Sequence, residues 1–279
     1  MRRMKLDGDP FKTYMVPEGS KVKLKEEAAG DVSLCPDGGK TNTQELFDGL
    51  RDEIQALQKV LYAQGRHKVL VVLQAMDTGG KDGCVKHVFS RVDPQGIHVR
   101  SFKKPSENEL AHDFLWRIHR HVPRKGEIMI FNRSHYEDII AVRVKKLMPD
   151  EVWKRRYRHV VEFERMLAEE GTTILKLFLH ISKKEQKERL EKRLENPRKH
   201  WKFNPDDLQD RKRWDDFQRA YEDVMEKTST SFAPWFIIPA DRKWYRNLCV
   251  AKLFANVLES LDLEFPAVDF DPAKITIDE

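Results

Sequence analysis

Apolar residues recur along this chain with two different periods. Over residues 43–62, Leu46, Leu50, Ile54, Leu57 and Leu61 fall three or four positions apart. That is the spacing of one helix face, and Thr43 is placed to cap it. Beyond it, short apolar runs alternate with helical stretches. Strands are expected at 68–73, 97–102, 127–131, 172–180 and 235–239. Helices are expected at 82–90, 106–121, 149–170, 183–194, 205–227 and 244–261. Ser106 with Glu109 three residues on reads as a capping box. Five short apolar strands separated by helices predict an α/β domain with a five-stranded parallel sheet covered on both faces. Residues 1–40 are polar, Gly-containing and without a period, so they read as an N-terminal arm, leaving 41–279 as one domain. Residues 194–208 break the alternation and read as an insertion.

Composition narrows the class. Charged residues are 35% of the chain and hydrophobic residues 40%, which argues against a membrane-embedded, collagen-like or disulfide-scaffold protein. The longest apolar run, 69–76, is far short of the ~20 residues of a membrane-spanning helix. The basic start, MRRMKLDGDP, has no apolar signal core. Cys35, Cys84 and Cys249 stand far apart and form no CxxC pair, so neither disulfides nor a structural zinc site are expected. These features predict a cytoplasmic protein with no membrane partner.

The first strand runs into Gln74-Ala75-Met76-Asp77-Thr78-Gly79-Gly80-Lys81-Asp82-Gly83, and a helix follows. Strand, Gly-rich turn, Lys and helix N-terminus make a phosphate-binding loop. Glycines let backbone N–H groups approach phosphate oxygens, and the helix end and Lys81 add positive charge. The match to G-x-x-x-x-G-K-[ST] is imperfect, because Ala75 replaces the first Gly and Asp82 the Ser/Thr that would reach Mg²⁺. Asp77 would repel phosphate unless a divalent cation lies between them. The third strand ends in Asn132-Arg133-Ser134-His135-Tyr136-Glu137-Asp138. Glu137 and Asp138 join Asp77 as three carboxylates suited to a hard cation, and Arg133 could neutralise a migrating phosphoryl group. By themselves, Glu137 and Asp138 would equally suit the first turn of a helix, and His135 is read as structural.

The net charge is only +5, but it is uneven. Residues 183–202 carry nine Lys/Arg against four Glu, 143–158 seven against two acids, and 100–125 seven against three. Three basic blocks around a phosphate loop point to a polyanionic ligand.

AMDTGGKDG, DPQG (93–96), SFKKPSENEL, HDFLWRIHRHVP, IFNRSHYED, TTILKLFLHIS, RLENPRKHWKFNPDDL and APWFIIPADRKWYR occur in that order. Over about 44–266 these blocks resemble the polyphosphate kinase 2 family. The form FNRSHYED is similar to the subgroup that phosphorylates both AMP and ADP. The resemblance implies a three-layer α/β/α phosphate-loop kinase core with a helical lid at about 189–208. It implies transfer of the terminal phosphoryl group of inorganic polyphosphate to AMP and ADP, giving ADP and ATP, with Mg²⁺ or Mn²⁺ as cofactor. Asp77, Lys81, Arg133, Glu137 and Asp138 match the family's catalytic positions, with Asp77, Glu137 and Asp138 as metal ligands. Thr78, Gly79, Gly80, Asp82, Gly83 and Asn132 fall in its phosphate- and nucleotide-binding loops. Arg193, Arg198, Lys199 and Lys202 would close over the phosphate chain. Lys103, Lys104, Arg117, Arg120, Arg143 and Lys145 are expected to line a channel for the rest of it. GMP and GDP are further candidate acceptors, and a homodimer or homotetramer is expected. The acceptor is an ionised phosphate oxygen, so no general base is required.

Two other readings compete. An ATP-dependent nucleoside monophosphate kinase of thymidylate-kinase type would use the same loop but would not need three basic blocks. A nucleic-acid-binding protein would use Phe114, Trp116, Trp153, Tyr157 and Trp201 as stacking platforms among Lys/Arg. Apolar partners at helical spacing assign most of these rings to the core instead, so no nucleic-acid partner is expected.

Overall fold

The computed structural model describes residues 8–35 and 39–277. Parts of the expected arm, 1–7 and 36–38, lie outside the described residues. The arm opens with α1 (Pro10–Tyr14), capped by Asp9, and passes into a two-residue strand β1 (Met15–Val16). α2 (Lys40–Gln64) follows and ends at Gly65, whose φ of 62° suits glycine. Then come β2 (Lys68–Gln74), α3 (Lys81–Val88), β3 (Ile97–Ser101), α4 (Glu107–Leu110), α5 (Trp116–His119), β4 (Ile128–Asn132), α6 (Glu137–Val144), α7 (Asp150–Glu169) and β5 (Thr172–His180). α8 (Lys183–Leu194), a 3-10 turn (Pro197–Lys202), α9 (Asp206–Lys212), α10 (Trp214–Thr228), β6 (Trp235–Pro239), α11 (Lys243–Glu259) and a last 3-10 turn (Pro272–Lys274) follow.

The sheet runs β1-β6-β5-β2-β4-β3. Its five long strands are parallel, as expected, but it has six strands. The sixth, β1, pairs antiparallel with β6 through Met15–Phe236 and Val16–Trp235. Two residues carry no alternation to read; only the pairing makes them a strand. β2 is buried along nearly its whole length, because helices cover both faces. α2, α3 and α11 pack together as one layer, and α6, α7 and α10 as the other.

Three expected boundaries shift for local reasons. Thr43 does not cap α2; Gly39 occupies the cap, and the Thr43 hydroxyl donates to the Lys40 carbonyl at 3.0 Å. The helix expected over 106–121 is two short ones. The Asp113 carboxylate accepts from the N–H groups of Leu115 and Trp116 and restarts the chain there. The capping box of Ser106 and Glu109 is formed. The helix expected over 205–227 divides at Arg213 into α9 and α10.

β2 and β4 are parallel neighbours, with Leu73 opposite Asn132. The loops that leave their C-terminal ends therefore emerge side by side, where open α/β sheets bind ligands.

Candidate active site

The phosphate loop, 75–80, is a tight turn in which two glycines are required. A Cβ on Gly79 would meet the Met76 carbonyl oxygen at 2.8 Å, and Gly80, at φ 95°, lies against the Arg246 guanidinium. Lys81 folds back and donates to the Ala75 carbonyl at 2.9 Å. The Tyr221 hydroxyl donates to the same carbonyl at 3.0 Å. Thr78 adopts φ 62°, rare for a non-glycine residue, and its buried hydroxyl has no hydrogen-bond partner. On the adjacent turn, Arg133 sits at φ 63°. Left-handed non-glycine residues cost energy and gather at ligand-binding turns; here each loop holds one.

The charges converge between these turns. Arg133 Nη2 donates to Asp77 Oδ1 at 2.5 Å. Glu137, at the start of α6, is half-buried, and Gln74, in the amide orientation that satisfies its neighbours, donates to its Oε1 at 3.0 Å. Burial raises the Glu137 carboxyl against the pull of Arg133 and Lys81, and Asp77 and Asp138 raise it further. Burial, then the Arg133 charge, lowers the Lys81 ammonium to about 8. Two cations and two carboxylates thus crowd a partly dry site, an arrangement that anionic phosphates and a divalent cation would rebalance.

Asp138 faces elsewhere. Arg117 Nη2 donates to its Oδ2 at 2.9 Å, and Arg156 Nη1 donates to its carbonyl at 2.6 Å. Among the described residues no group of three or more His, Cys, Asp or Glu is arranged to hold a metal ion. The expected trio of carboxylates is therefore not gathered here; Asp77 and Glu137 share one environment, and Asp138 is tied into an arginine bracket.

The remaining expected residues divide by position. Asn132 Nδ2 donates to Asp82 Oδ1 at 2.7 Å, joining the two loops. Lys202 of the 3-10 turn lies 3.6 Å from Asp82, so this turn reaches the start of α3. Arg193 donates to the Lys202 carbonyl at 3.1 Å and to Asp207 at 3.4 Å. Arg198, Lys199, Lys103 and Lys104 are exposed, and Gly83 lies in the first turn of α3. Arg117 is buried and spans Asp138 and the Lys103 carbonyl, a bracing position rather than a channel wall. Arg120 stacks on Trp116. Arg143 stacks on Trp153 and pairs with Asp223 at 2.5 Å, and Lys145 pairs with Asp210 at 2.6 Å.

Four residues at the loop were not anticipated as site residues. Arg189 donates to the carbonyls of Thr78 at 3.1 Å and Ala240 at 2.6 Å. Gln186 donates to the Asp77 carbonyl at 3.1 Å. Arg246 and Tyr221 complete the set. They come from α8, α11 and α10, far from the loop in sequence.

The model of the family described as Polyphosphate kinase 2 (PPK2) matches residues 39–266. The chain belongs to the polyphosphate kinase 2 family. Among relatives of this polyphosphate kinase 2 chain, the AMP/ADP-polyphosphate phosphotransferase of Meiothermus ruber is 53% identical over 268 residues, covering 96% of this chain and 100% of that protein. The ADP-polyphosphate phosphotransferase of Rhodopseudomonas palustris is 41% identical, covering 91% and 92% respectively. The crystal structure of Polyphosphate Kinase 2 from Arthrobacter aurescens TC1 superposes with a TM-score of 0.91 at 40% identity, over 97% of this chain and 96% of that one. No helix among the described residues is long and apolar enough to cross a membrane.

Proposed function

We propose that this polyphosphate kinase 2 protein transfers the terminal phosphoryl group of inorganic polyphosphate to AMP, giving ADP, and to ADP, giving ATP. The observation that carries this reading is full-length similarity to the Meiothermus protein, combined with a phosphate loop faced by Arg133 and a lid bearing Arg193, Arg198, Lys199 and Lys202.

The acceptor phosphate is already ionised near neutral pH, so the protein's task is in-line positioning and charge stabilisation. Backbone N–H groups at Gly80–Gly83 receive phosphate oxygens as α3 begins. Lys81 swings from the Ala75 carbonyl to a phosphate oxygen. Arg133 leaves Asp77 and stabilises charge on the transferring group. Asp77 and Glu137, with phosphate oxygens, would hold Mg²⁺ or Mn²⁺. This fits an ion that commonly binds through one or two carboxylates plus phosphates, and it fits a Glu137 carboxyl raised by burial first and then by the nearby charge of Asp77. The bound ion supplies electrostatic neutralisation. Asp138, held by Arg117 and Arg156, fixes the turn from beneath. GMP and GDP are proposed as secondary acceptors, the cytoplasm as the location, and a homodimer or homotetramer as the assembly.

The test is ³¹P NMR of the protein with polyphosphate, Mg²⁺ and AMP, without ATP, beside a Lys81→Met control. ADP followed by ATP, lost in the control, is the expected result. Silence with polyphosphate, but transfer when ATP is the donor, would overturn the reading in favour of an ordinary nucleotide kinase.

A further inference from the structure

A buried charged cluster lies directly beneath the Asn132–Asp138 turn. Lys176 stands in the middle of β5 among apolar neighbours, and it, Glu164 of α7, His135 and Tyr136 are all fully buried. Glu164 Oε2 accepts from Lys176 Nζ at 2.7 Å. Its Oε1 accepts from the Tyr136 hydroxyl at 2.8 Å and lies 3.1 Å from His135 Nε2. Lys176 Nζ also donates to the Thr228 carbonyl at 2.6 Å and to the Tyr136 hydroxyl at 3.0 Å. The ammonium is further flanked by the rings of Tyr136 and Trp235.

Stability alone does not account for this pair. Taking two charges out of water is expensive, and well-packed apolar replacements of a buried ion pair are often neutral or stabilising. What the pair does is local and directional. His135 and Tyr136 are the residues of the turn whose side chains end on Glu164. Arg133 precedes them at φ 63°, and Glu137 follows them at the start of α6. A turn held in a sparsely populated backbone region persists only if its surroundings fix it. The single Glu164 carboxylate grips it at two consecutive residues, and Lys176 keeps that carboxylate charged and oriented from the far side.

We propose that Glu164, held by Lys176, is a positioning residue for phosphoryl transfer: through His135 and Tyr136 it sets the turn that aims Arg133 and Glu137. It touches no substrate. The inference rests on the functional reading of Arg133 and Glu137 given above.

The test compares the wild type, Glu164→Gln, and the double variant Glu164→Leu with Lys176→Met, which removes both charges and leaves neither unpaired. In the double variant kcat is expected to fall about 10²-fold, the scale of a ~1 Å misplacement of a reacting group. KM for AMP should stay within about threefold and the thermal midpoint within a few degrees. Glu164→Gln, which keeps an acceptor for Tyr136, should fall between it and the wild type. Arg133→Lys should cost far less in the double-variant background than in the wild type, because both changes spoil the same group. A double variant with wild-type kcat, or an additive Arg133→Lys cost, would overturn the proposal. So would a loss of activity that merely tracks loss of folded protein. The wild type separates this from the functional reading: if it uses ATP but not polyphosphate, that reading fails, and the same comparison runs with ATP as donor.

Discussion

Gly80 and Gly83 lie three residues apart at the start of α3, yet their surroundings predict opposite responses to the same substitution. Gly80 has φ 95°, and a Cβ there would overlap the buried Arg246 guanidinium. The left-handed backbone alone costs an L-residue about 1–2 kcal/mol. Gly80→Ala should therefore lower the melting temperature by several degrees, at about 2–4 °C per kcal/mol for a domain approaching this size, and cut kcat/KM more than tenfold. A Cβ on Gly83 would sit 3.6 Å from the Arg246 side chain, an ordinary contact in helical backbone. Gly83→Ala should leave kcat/KM within about threefold and hold or raise the melting temperature. Equal damage from both, measured by calorimetry and initial rates, would sink the argument. The glycines and Lys81 were legible because a phosphate loop is contiguous in sequence and each position has a backbone reason. Arg246, Arg189, Gln186 and Tyr221 were not. Each serves the loop by touching a main-chain carbonyl or a glycine across more than 100 residues of chain, and no local spacing records that. Asp138 shows the converse: sequence adjacency to Glu137 suggested a shared metal, but successive helical residues point in different directions, and Asp138 meets Arg117 instead.

At the scale of elements, α8, the 3-10 turn and α9 make a helix, a turn and a helix, and α9 turns the carboxylates of Asp207 and Asp210 inward. Asp207, in the first turn of α9, is buried beside Arg193. Burial, then the charge of Asp77, pushes its carboxyl up to about 6, against the pull of Arg193 and Arg133. The folded protein thus holds this proton more tightly than the unfolded chain. The corresponding stability is fully present below about pH 4 and is lost as pH rises through 6. Asp207→Asn cannot ionise and keeps what the wild type loses. The melting temperature of the variant relative to the wild type should therefore climb between pH 4 and 6 and level off above. A difference independent of pH over that range would show that the fold does not strain this carboxylate. The long helices and parallel strands were readable from period because packing on a two-sided sheet imposes the period. β1 and the break at Arg213 were not, since one exists only through its partner strand and the other within a continuous polar stretch.

For the whole molecule, the basic blocks indicated a polyanion but not its path, because several of their cations are satisfied internally. Arg143 pairs with Asp223, Lys145 with Asp210 and Arg193 with Asp207. Arg198 and Lys199, on the 3-10 turn beside the phosphate loop, are exposed. A polymer leaving the loop along the 3-10 turn would meet these two before reaching the α6–α10 face. Each contact between a cation and a phosphate releases counterions on binding, so the affinity falls with salt in proportion to the number of contacts. For long-chain polyphosphate, the slope of log Kd against log salt should drop by about two units when Arg198→Gln and Lys199→Gln are combined. Arg143→Gln should leave the slope unchanged, since its charge is already spent on Asp223 and its guanidinium on Trp153. Tripolyphosphate, too short to extend far from the loop, should show a shallower slope in the wild type and little effect of either change. If Arg143→Gln flattens the long-chain slope while the Arg198 and Lys199 pair does not, the polymer runs over α6 and α10. The Asp223 and Asp210 pairs would then have to open to receive it.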